Sequence, residues 1–344
     1  MRKKIYHASP ARGRELLNRA DHIHLATVSD GGMPVLKTVH GVLLGDCLYW
    51  HGSPGGEKAR CTGHPVVICA MEMVADIPSH WIDPERACPA TTYYESVQVH
   101  GTTETVSDPL EAASVLQALM DRYQPEGGFT PIRHDHPLYD EAIRRLLVTR
   151  VSLERITAKS KLGQNRTPCQ IAQIVTQLWR RGSPRDLSAI ERLLDAHPAE
   201  AVPRFLTAPR SRLVPDVRAE ADLDAAARML LPTYWNRGRF DAGGIRAAVA
   251  ASSAVVGARC VESGELIAIA RAVSDDRKRA WIYDVCVDSD RRHQGLGSRV
   301  MALLLDHPRV RDCAEVHLGT RDAQGFYARL GFGARSIEMV LKRR

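Results

Sequence analysis

The stretch that decides the fold is Trp281-Ile-Tyr-Asp-Val-Cys-Val-Asp-Ser-Asp-Arg-Arg-His-Gln-Gly-Leu-Gly-Ser298. Its opening run, Trp281 to Val287, is predominantly apolar, β-branched and aromatic, and reads as a buried strand. Polar residues follow, then Arg292-His293-Gln294-Gly295-Leu296-Gly297, then a helical pattern from Ser298 to Leu305. The first N–H groups of a helix have no internal partners and sit at the positive end of its dipole. A strand, a glycine-containing turn and a helix start therefore form a pocket of backbone donors suited to a phosphate or pyrophosphate.

Two familiar phosphate loops are excluded. There is no Gly-Lys-Ser/Thr ending, and the full Gly-x-Gly-x-x-Gly fingerprint is absent. Arg292-x-x-Gly295-x-Gly297 instead resembles the acetyl-CoA pyrophosphate loop of the Gcn5-related N-acetyltransferases (GNAT), whose pattern is Gln/Arg-x-x-Gly-x-Gly/Ala. On six residues alone, a turn that merely lets a helix pack closely on a strand is an equal reading. The neighbouring sequence separates the two. Ala314 to Leu318 reads as another strand, and the run Gly319 to Phe332 resembles the second signature of that family, a short helix carrying Phe-Tyr and ending at Gly-Phe. Upstream, Tyr234-Trp-Asn-Arg-Gly-Arg239 resembles the Tyr-Trp-x-x-Gly-Arg start of a bacterial subgroup. The three motifs stand in family order over roughly residues 210 to 344.

The resemblance implies an α/β GNAT fold with a mixed central sheet, acetyl-CoA as co-substrate and a small-molecule amine as acceptor. The backbone of Gln294, Gly295, Leu296, Gly297 and Ser298 would hold the pyrophosphate, with Val285, Val287, Arg292, His293 and Asp322 also expected to contact acetyl-CoA. Tyr327, the phenol of the Phe-Tyr motif, is the candidate general acid for the departing thiolate, since a phenol of pKa about 10 can protonate it. Asp284 is the candidate base through a water, or equally a structural partner for a neighbouring group. Tyr234, Trp235 and Arg239 are candidates for the acceptor pocket, with core packing almost as good a reading for the two aromatic residues.

With 344 residues, two domains are the natural expectation. Hydrophobic residues make up 44% and charged residues 25%, an ordinary globular balance. A formal net charge of +7, spread along the chain, suits anionic ligands such as CoA or a flavin phosphate without indicating nucleic acid. The eight cysteines include no Cys-x-x-Cys pair, and several lie in apolar runs. They read as small buried hydrophobes in a reducing compartment, with no metal site expected. No apolar run follows the basic start, and no stretch approaches the roughly 20 apolar residues of a membrane span. A cytoplasmic location is expected, with neither a membrane nor a nucleic-acid partner.

The first half has a different rhythm. Ser9-Pro10 opens an amphipathic run to Arg19, an N-capped helix. Strand patterns follow at His22 to Val28, Val35 to Leu44, Cys47 to His51 and Val66 to Met71, joined by Asp-Gly and Gly-Asp turns. Thr91 to Val106 reads as a strand pair or one bent strand, Pro109 to Tyr123 as a helix, and Leu147 to Ala158 as a last strand. This order suggests a small closed antiparallel barrel with flanking helices. It resembles the FMN-binding split barrels related to pyridoxamine 5′-phosphate oxidase, nearest the nitroimidazole-resistance type. The residues behind the resemblance are the Asp30-Gly31-Gly32-Met33-Pro34 turn, Leu48 to Ser53, Thr92 to Val97 with Gly101, and Lys159 to Arg166.

That family implies FMN, a homodimer built through the barrel, and a flavin phosphate held by Lys37 and Thr38 on one strand and His51, Ser53 and Lys58 at and after another. Cationic and hydroxyl donors satisfy a dianionic phosphate. Surface solvation is the ordinary fate of lysine, and His51 could instead serve as a redox or haem-type ligand.

The expected boundaries are 1–167 for the flavin-type barrel, 168–208 for a helical extension and linker, and 209–344 for the acetyltransferase domain. Three functional schemes fit. The chain is a bifunctional fusion; or the barrel is a non-catalytic sensing or dimerisation module; or the barrel reduces nitro compounds and the acetyltransferase acts on the resulting amine.

Overall fold

The computed structural model describes residues 3–334. The first two residues of the basic start and the last ten of the C-terminal span lie outside the described residues. The chain divides into two compact units: one runs to Ser79 and resumes over Ala87–Asn165, the other takes His80–Arg86 and what is described from Arg166 onward.

In the first unit a short strand β1 (His7–Ala8) precedes helix α1 (Pro10–Arg19). Ser9 Oγ accepts the Arg12 N–H at 3.2 Å, and Pro10 takes the first turn, where its missing N–H costs nothing. Then come β2 (Ile23–Val28), β3 (Pro34–Val39), β4 (Val42–Leu44), β5 (Cys47–Gly52), β6 (Pro65–Ile77), β7 (Thr91–Thr102) and β8 (Glu104–Thr105). Helices α2 (Pro109–Tyr123) and α3 (Asp140–Arg145) lead to β9 (Leu147–Ser152) and β10 (Ile156–Lys161).

These strands pair antiparallel in two sheets, ordered β1-β10-β7-β6-β2-β3 and β4-β5-β9-β8. The antiparallel architecture is the expected one, but among the described residues it does not close into a barrel. Two stretches read as single runs, Val35–Leu44 and Leu147–Ala158, each break and pass from one sheet to the other, and Thr91–Val106, read as a strand pair or one bent strand, does the same. At the first break a Cβ on Gly41 would meet Ile23 Cδ1 at 3.0 Å and Leu48 Cδ1 at 3.2 Å, so the chain changes sheet where a side chain has little room. The core between α1 and the larger sheet contains Leu16, Leu17, Leu25, Trp50, Ile68, Val97 and Val99. Gly13 brings the helix close, since a Cβ there would meet Ile156 Cδ1 at 3.0 Å. Buried Glu95 on β7 is held by Arg12 at 2.9 Å and Arg19 at 2.8 Å. A second core sets Val115, Leu116 and Leu119 of α2 against Val42, Tyr49 and Val148.

The second unit contains helices α4 (Pro168–Arg181) and α5 (Asp186–Asp195), strands β11 (Thr207–Ala208) and β12 (Ser211–Val214), and helices α6 (Glu220–Leu230) and α7 (Ala242–Ala250). Strands β13 (Ala254–Cys260), β14 (Leu266–Ser274) and β15 (Arg279–Val287) follow, then α8 (Leu296–Leu305), β16 (Glu315–Leu318) and α9 (Gln324–Ala328). Thr167 and Gln170 form a capping box on α4, which ends at Gly182 in the left-handed region, φ +64°.

The six strands make one sheet in chain order, antiparallel except for the parallel pair β15–β16, which is the mixed sheet expected. Leu223, Leu230, Ile245 and Val249 of α6 and α7 bury against Val255 and Ile269. Helix α7 is not legible in the sequence, because its Ala-Gly-Gly start has poor helix propensity. Asp241 compensates by accepting the Gly244 N–H at 2.7 Å. At the turn between β14 and β15 the Asp275 carboxylate collects the N–H groups of Arg277, Lys278 and Arg279.

Candidate functional site

A cleft of about 1020 Å³ opens in the second unit between β15, the start of α8 and α9. Its first cause is incomplete pairing. β15 pairs with β16 from Arg279 to Ile282, so among the described residues Tyr283 to Val287 have no strand partner on that side. An unpaired strand edge offers hydrogen bonds to any amide-bearing chain laid along it.

The second cause is a bulge. The β14–β15 register passes from Ile269 opposite Cys286 to Arg271 opposite Tyr283, leaving one extra residue on β15. Asp284 lies there with φ +50°, a conformation aspartate tolerates better than β-branched residues. Its carboxylate accepts from Trp235 Nε1 at 2.7 Å, Asn236 Nδ2 at 3.2 Å and Arg271 Nε at 2.5 Å. It thus ties the Tyr-Trp-Asn turn after α6 to the central strands. Arg271 also donates to Ser252 Oγ at 3.1 Å and covers the Tyr283 ring at 4.8 Å.

Beyond β15, Asp288 caps a short turn over Ser289–Arg291. His293 (φ +61°) and Gly295 (φ +80°) then reverse the chain into α8, whose start has no side-chain cap. The first N–H groups of α8 are therefore left for a ligand. Gly297 keeps the approach low: a Cβ there would touch Val287 at 3.6 Å and Phe326 at 3.7 Å. Arg292, His293, Gly295, Gly297, Ser298, Val285, Val287 and Asp322 all line the cleft. Leu296 is buried in the core, and Gln294 turns its side chain back to the Asp290 carbonyl at 3.2 Å.

Tyr327 faces this cleft from α9, half-buried, its ring edge-on to Phe326 and Phe332. Burial pushes its phenol above the ordinary value, and Tyr234 and Asp322 add to the shift. It therefore stays protonated through neutral pH. Tyr234 and Trp235 both line the cleft, while Arg239 is exposed and lies outside that lining. The sequence reading passed over Asn236 and Arg271. Asn236 stood inside a quoted motif, and Arg271 was the lone charge in the apolar run Leu266 to Val273.

In the first unit the phosphate candidates divide. Adjacent residues on a strand face opposite sides. Lys37 pairs with Glu57, whereas Thr38 turns to His24 Nδ1 at 3.2 Å. Lys58 donates a long 3.5 Å bond to the His51 carbonyl. Ser53 Oγ accepts from Gly55 N–H at 3.3 Å, leaving its own proton to donate. Partial burial and the Lys58 charge hold His51 below its usual pKa.

Residues 9–160 match the family model described as pyridoxamine 5′-phosphate oxidase, and residues 222–332 that of the acetyltransferase (GNAT) family. Over 103 residues the chain is 37% identical to glucosamine 6-phosphate N-acetyltransferase 1 of Oryza sativa subsp. japonica, a stretch covering 28% of this chain and 62% of that protein. The chain thus spans less than two thirds of that relative's length. Among solved structures, a flavocytochrome of Azotobacter vinelandii is 18% identical and covers 48% of this chain and 72% of its own, at a TM-score of 0.39. An FAD- and heme-binding protein of Mycobacterium smegmatis is 21% identical, covering 46% and 74%, with a TM-score of 0.39. A Xanthomonas campestris protein assigned to the GNAT family is 25% identical, covering 39% and 96%, with a TM-score of 0.35. Among the described residues, no helix is long and apolar enough to cross a membrane.

Proposed function

The chain joins a pyridoxamine 5′-phosphate oxidase-like domain to a GNAT acetyltransferase domain, and from that premise we propose that it transfers acetyl from acetyl-CoA to a small-molecule amine. The carrying observation is that an uncapped helix start, an unpaired strand edge and a protonated phenol share one cleft. The pyrophosphate sits on the N–H groups at the start of α8, with Arg292 beside them. The pantetheine amides extend along Tyr283 to Val287. The amine attacks the thioester carbon, the C–S bond breaks, and Tyr327 gives its proton to the thiolate. Asp284 acts by position, fixing the Tyr234–Trp235 turn against β14 and β15. Calorimetric titration of acetyl-CoA tests this reading. Binding that Gly297→Val weakens at least tenfold supports it, and equal affinity in the variant refutes the loop assignment.

The first domain is the flavin-binding partner in this reading. Lys58 and Ser53 retain free donors at the glycine-rich loop and suit a phosphate; Lys37 joins them once it leaves Glu57. A bound flavin supplies reversible electron transfer. The outer face of the larger sheet exposes Leu36 (69%), Met71 (62%) and Met73 (36%), which a second copy of the chain would cover. One observation favours the alternative of a sensing or dimerisation module: Lys37 is already neutralised and Thr38 faces the opposite side. Added FMN, followed by absorbance after gel filtration, decides between them. Retained flavin lost in Lys58→Ala supports the cofactor site, and a colourless protein supports the module.

A further inference from the structure

We propose that the first unit carries a binding site for a compact organic anion, a carboxylate or a phosphate monoester, on the outer face of the larger sheet. A cavity of about 410 Å³ opens there across β1, β7 and β10, lined by His7, Tyr94, Ser96, Gln98, Thr157 and Lys159. Small-molecule sites run from about 300 to 1,000 Å³, so this one suits a compact ligand. The side chains converge because strand residues two apart share a face. Tyr94, Ser96 and Gln98 stand along β7, while Val97 and Val99, which alternate with them, face the core. On β10, Thr157 is opposite Gln98 and Lys159 is opposite Ser96. His7 on β1 is in turn opposite Lys159.

Lys159 sets the charge of this space. Its ammonium donates to Tyr94 Oη, and lies 4.7 Å from the centre of the Tyr94 ring and 5.9 Å from that of Tyr6. Tyr6 is itself fixed, donating to Asn165 Oδ1 at 3.0 Å. Aromatic faces attract a cation without cancelling its charge. An ammonium has three protons, so two remain after the Tyr94 bond, and the Tyr94 hydroxyl keeps its own proton to give. Among the described residues no carboxylate lines the cavity, and the side chains of Ser96, Gln98 and His7 make no hydrogen bond. A half-buried cation with a phenol, a hydroxyl and an amide turned to one space is complementary to an oxyanion. The cavity is separate from the flavin-phosphate candidates. In the order β1-β10-β7-β6-β2-β3, Lys37 on β3 stands four steps from Lys159 on β10, roughly 19 Å at about 4.8 Å per step. One phosphate cannot touch both lysines of the same chain.

The test is calorimetric titration of the full chain with benzoate and with phenyl phosphate, benzyl alcohol serving as the uncharged counterpart. CoA is present throughout to occupy the loop before α8. At least one of the two anions should bind with a Kd of about 1 mM or tighter, and benzyl alcohol should not. That comparison needs no variant. Lys159→Met, which keeps an unbranched chain over the tyrosine rings, should weaken binding at least tenfold, and Lys159→Arg should hold it within about threefold. Added FMN should leave the anion affinity unchanged. Binding of benzoate alone makes the ligand a carboxylate, and binding of phenyl phosphate alone makes it a phosphate monoester. No saturable heat from either anion, equal affinity for benzyl alcohol, or full affinity in Lys159→Met overturns the site. Competition by FMN overturns it as well, because the anion then occupies the flavin-phosphate set.

Discussion

Replacing Asp284 by Asn removes one charge while keeping an oxygen that can accept from Trp235 and Asn236. Arg271 retains Ser252 and the Tyr283 ring but loses its counter-ion. Both side chains are largely buried, 7% and 13% exposed, so water screens the pair little. Removing one member of such a pair costs about 3–5 kcal/mol. The retained acceptor places Asp284→Asn at the lower end, about 3 kcal/mol. For a unit of this size each kcal/mol moves Tm by about 2–4 °C, so the C-terminal transition in scanning calorimetry should fall by roughly 9 °C. The double variant Arg271→Met/Asp284→Asn should recover part of that loss, because apolar replacement of a whole buried pair is often neutral. A coupling of at least about 1 kcal/mol is expected. Kinetics separate positioning from proton transfer. A positioning role predicts a higher acceptor KM and a kcat within tenfold of the parent. Loss of a true base costs about 10² to 10⁴ in rate. A hundredfold fall in kcat with an unshifted transition would refute the reasoning.

Tyr327→Phe should lower kcat at least roughly tenfold and leave the acetyl-CoA KM nearly unchanged, since the hydroxyl serves the thiolate and not the pyrophosphate; unchanged kcat in steady-state assays removes the general-acid role. Because burial raises the Tyr327 pKa, activity should hold through pH 9 and decline only above the ordinary phenol range. Gly295→Ala should cost about 1–2 kcal/mol, measured by denaturant titration, because φ is +80° there although open space surrounds it. Gly297→Ala meets only ordinary contacts at 3.6 Å and should keep stability while weakening acetyl-CoA binding. His307 is buried and pushed down to about 3, first by burial and then by Arg218, Arg309 and Arg311. Its unfolded-state pKa is about 6.5, so folding requires the neutral form and stability is lost as pH falls below that value. The slope from this residue is about 1.4 kcal/mol per pH unit down to about pH 3, and His307→Asn should flatten it in acid titrations followed by calorimetry.

The two-domain order, the capped helix at Ser9 and the loop before α8 were legible in the sequence. Each rests on local physics: a cap, a proline, a glycine or a run of one period acts within a few residues. The breaks in Val35–Leu44 and Leu147–Ala158 were not legible. A strand crossing from one sheet to another keeps its alternation, and what divides it is crowding by distant residues such as Ile23 and Leu48 around Gly41. The candidate site shows the same division. Glycine spacing and the Phe-Tyr pair pointed to a phosphate-binding helix start and a phenol, and both line the cleft. The state of Asp284 depended on Trp235, Asn236 and Arg271, residues 13 to 49 positions away in the chain. Sequence supplies the carboxylate; only the tertiary structure decides whether its lone pairs are free. The same holds for Lys37 and Thr38, neighbours in sequence that strand geometry turns to opposite faces, because a pleated backbone alternates whatever the side chains are meant to bind.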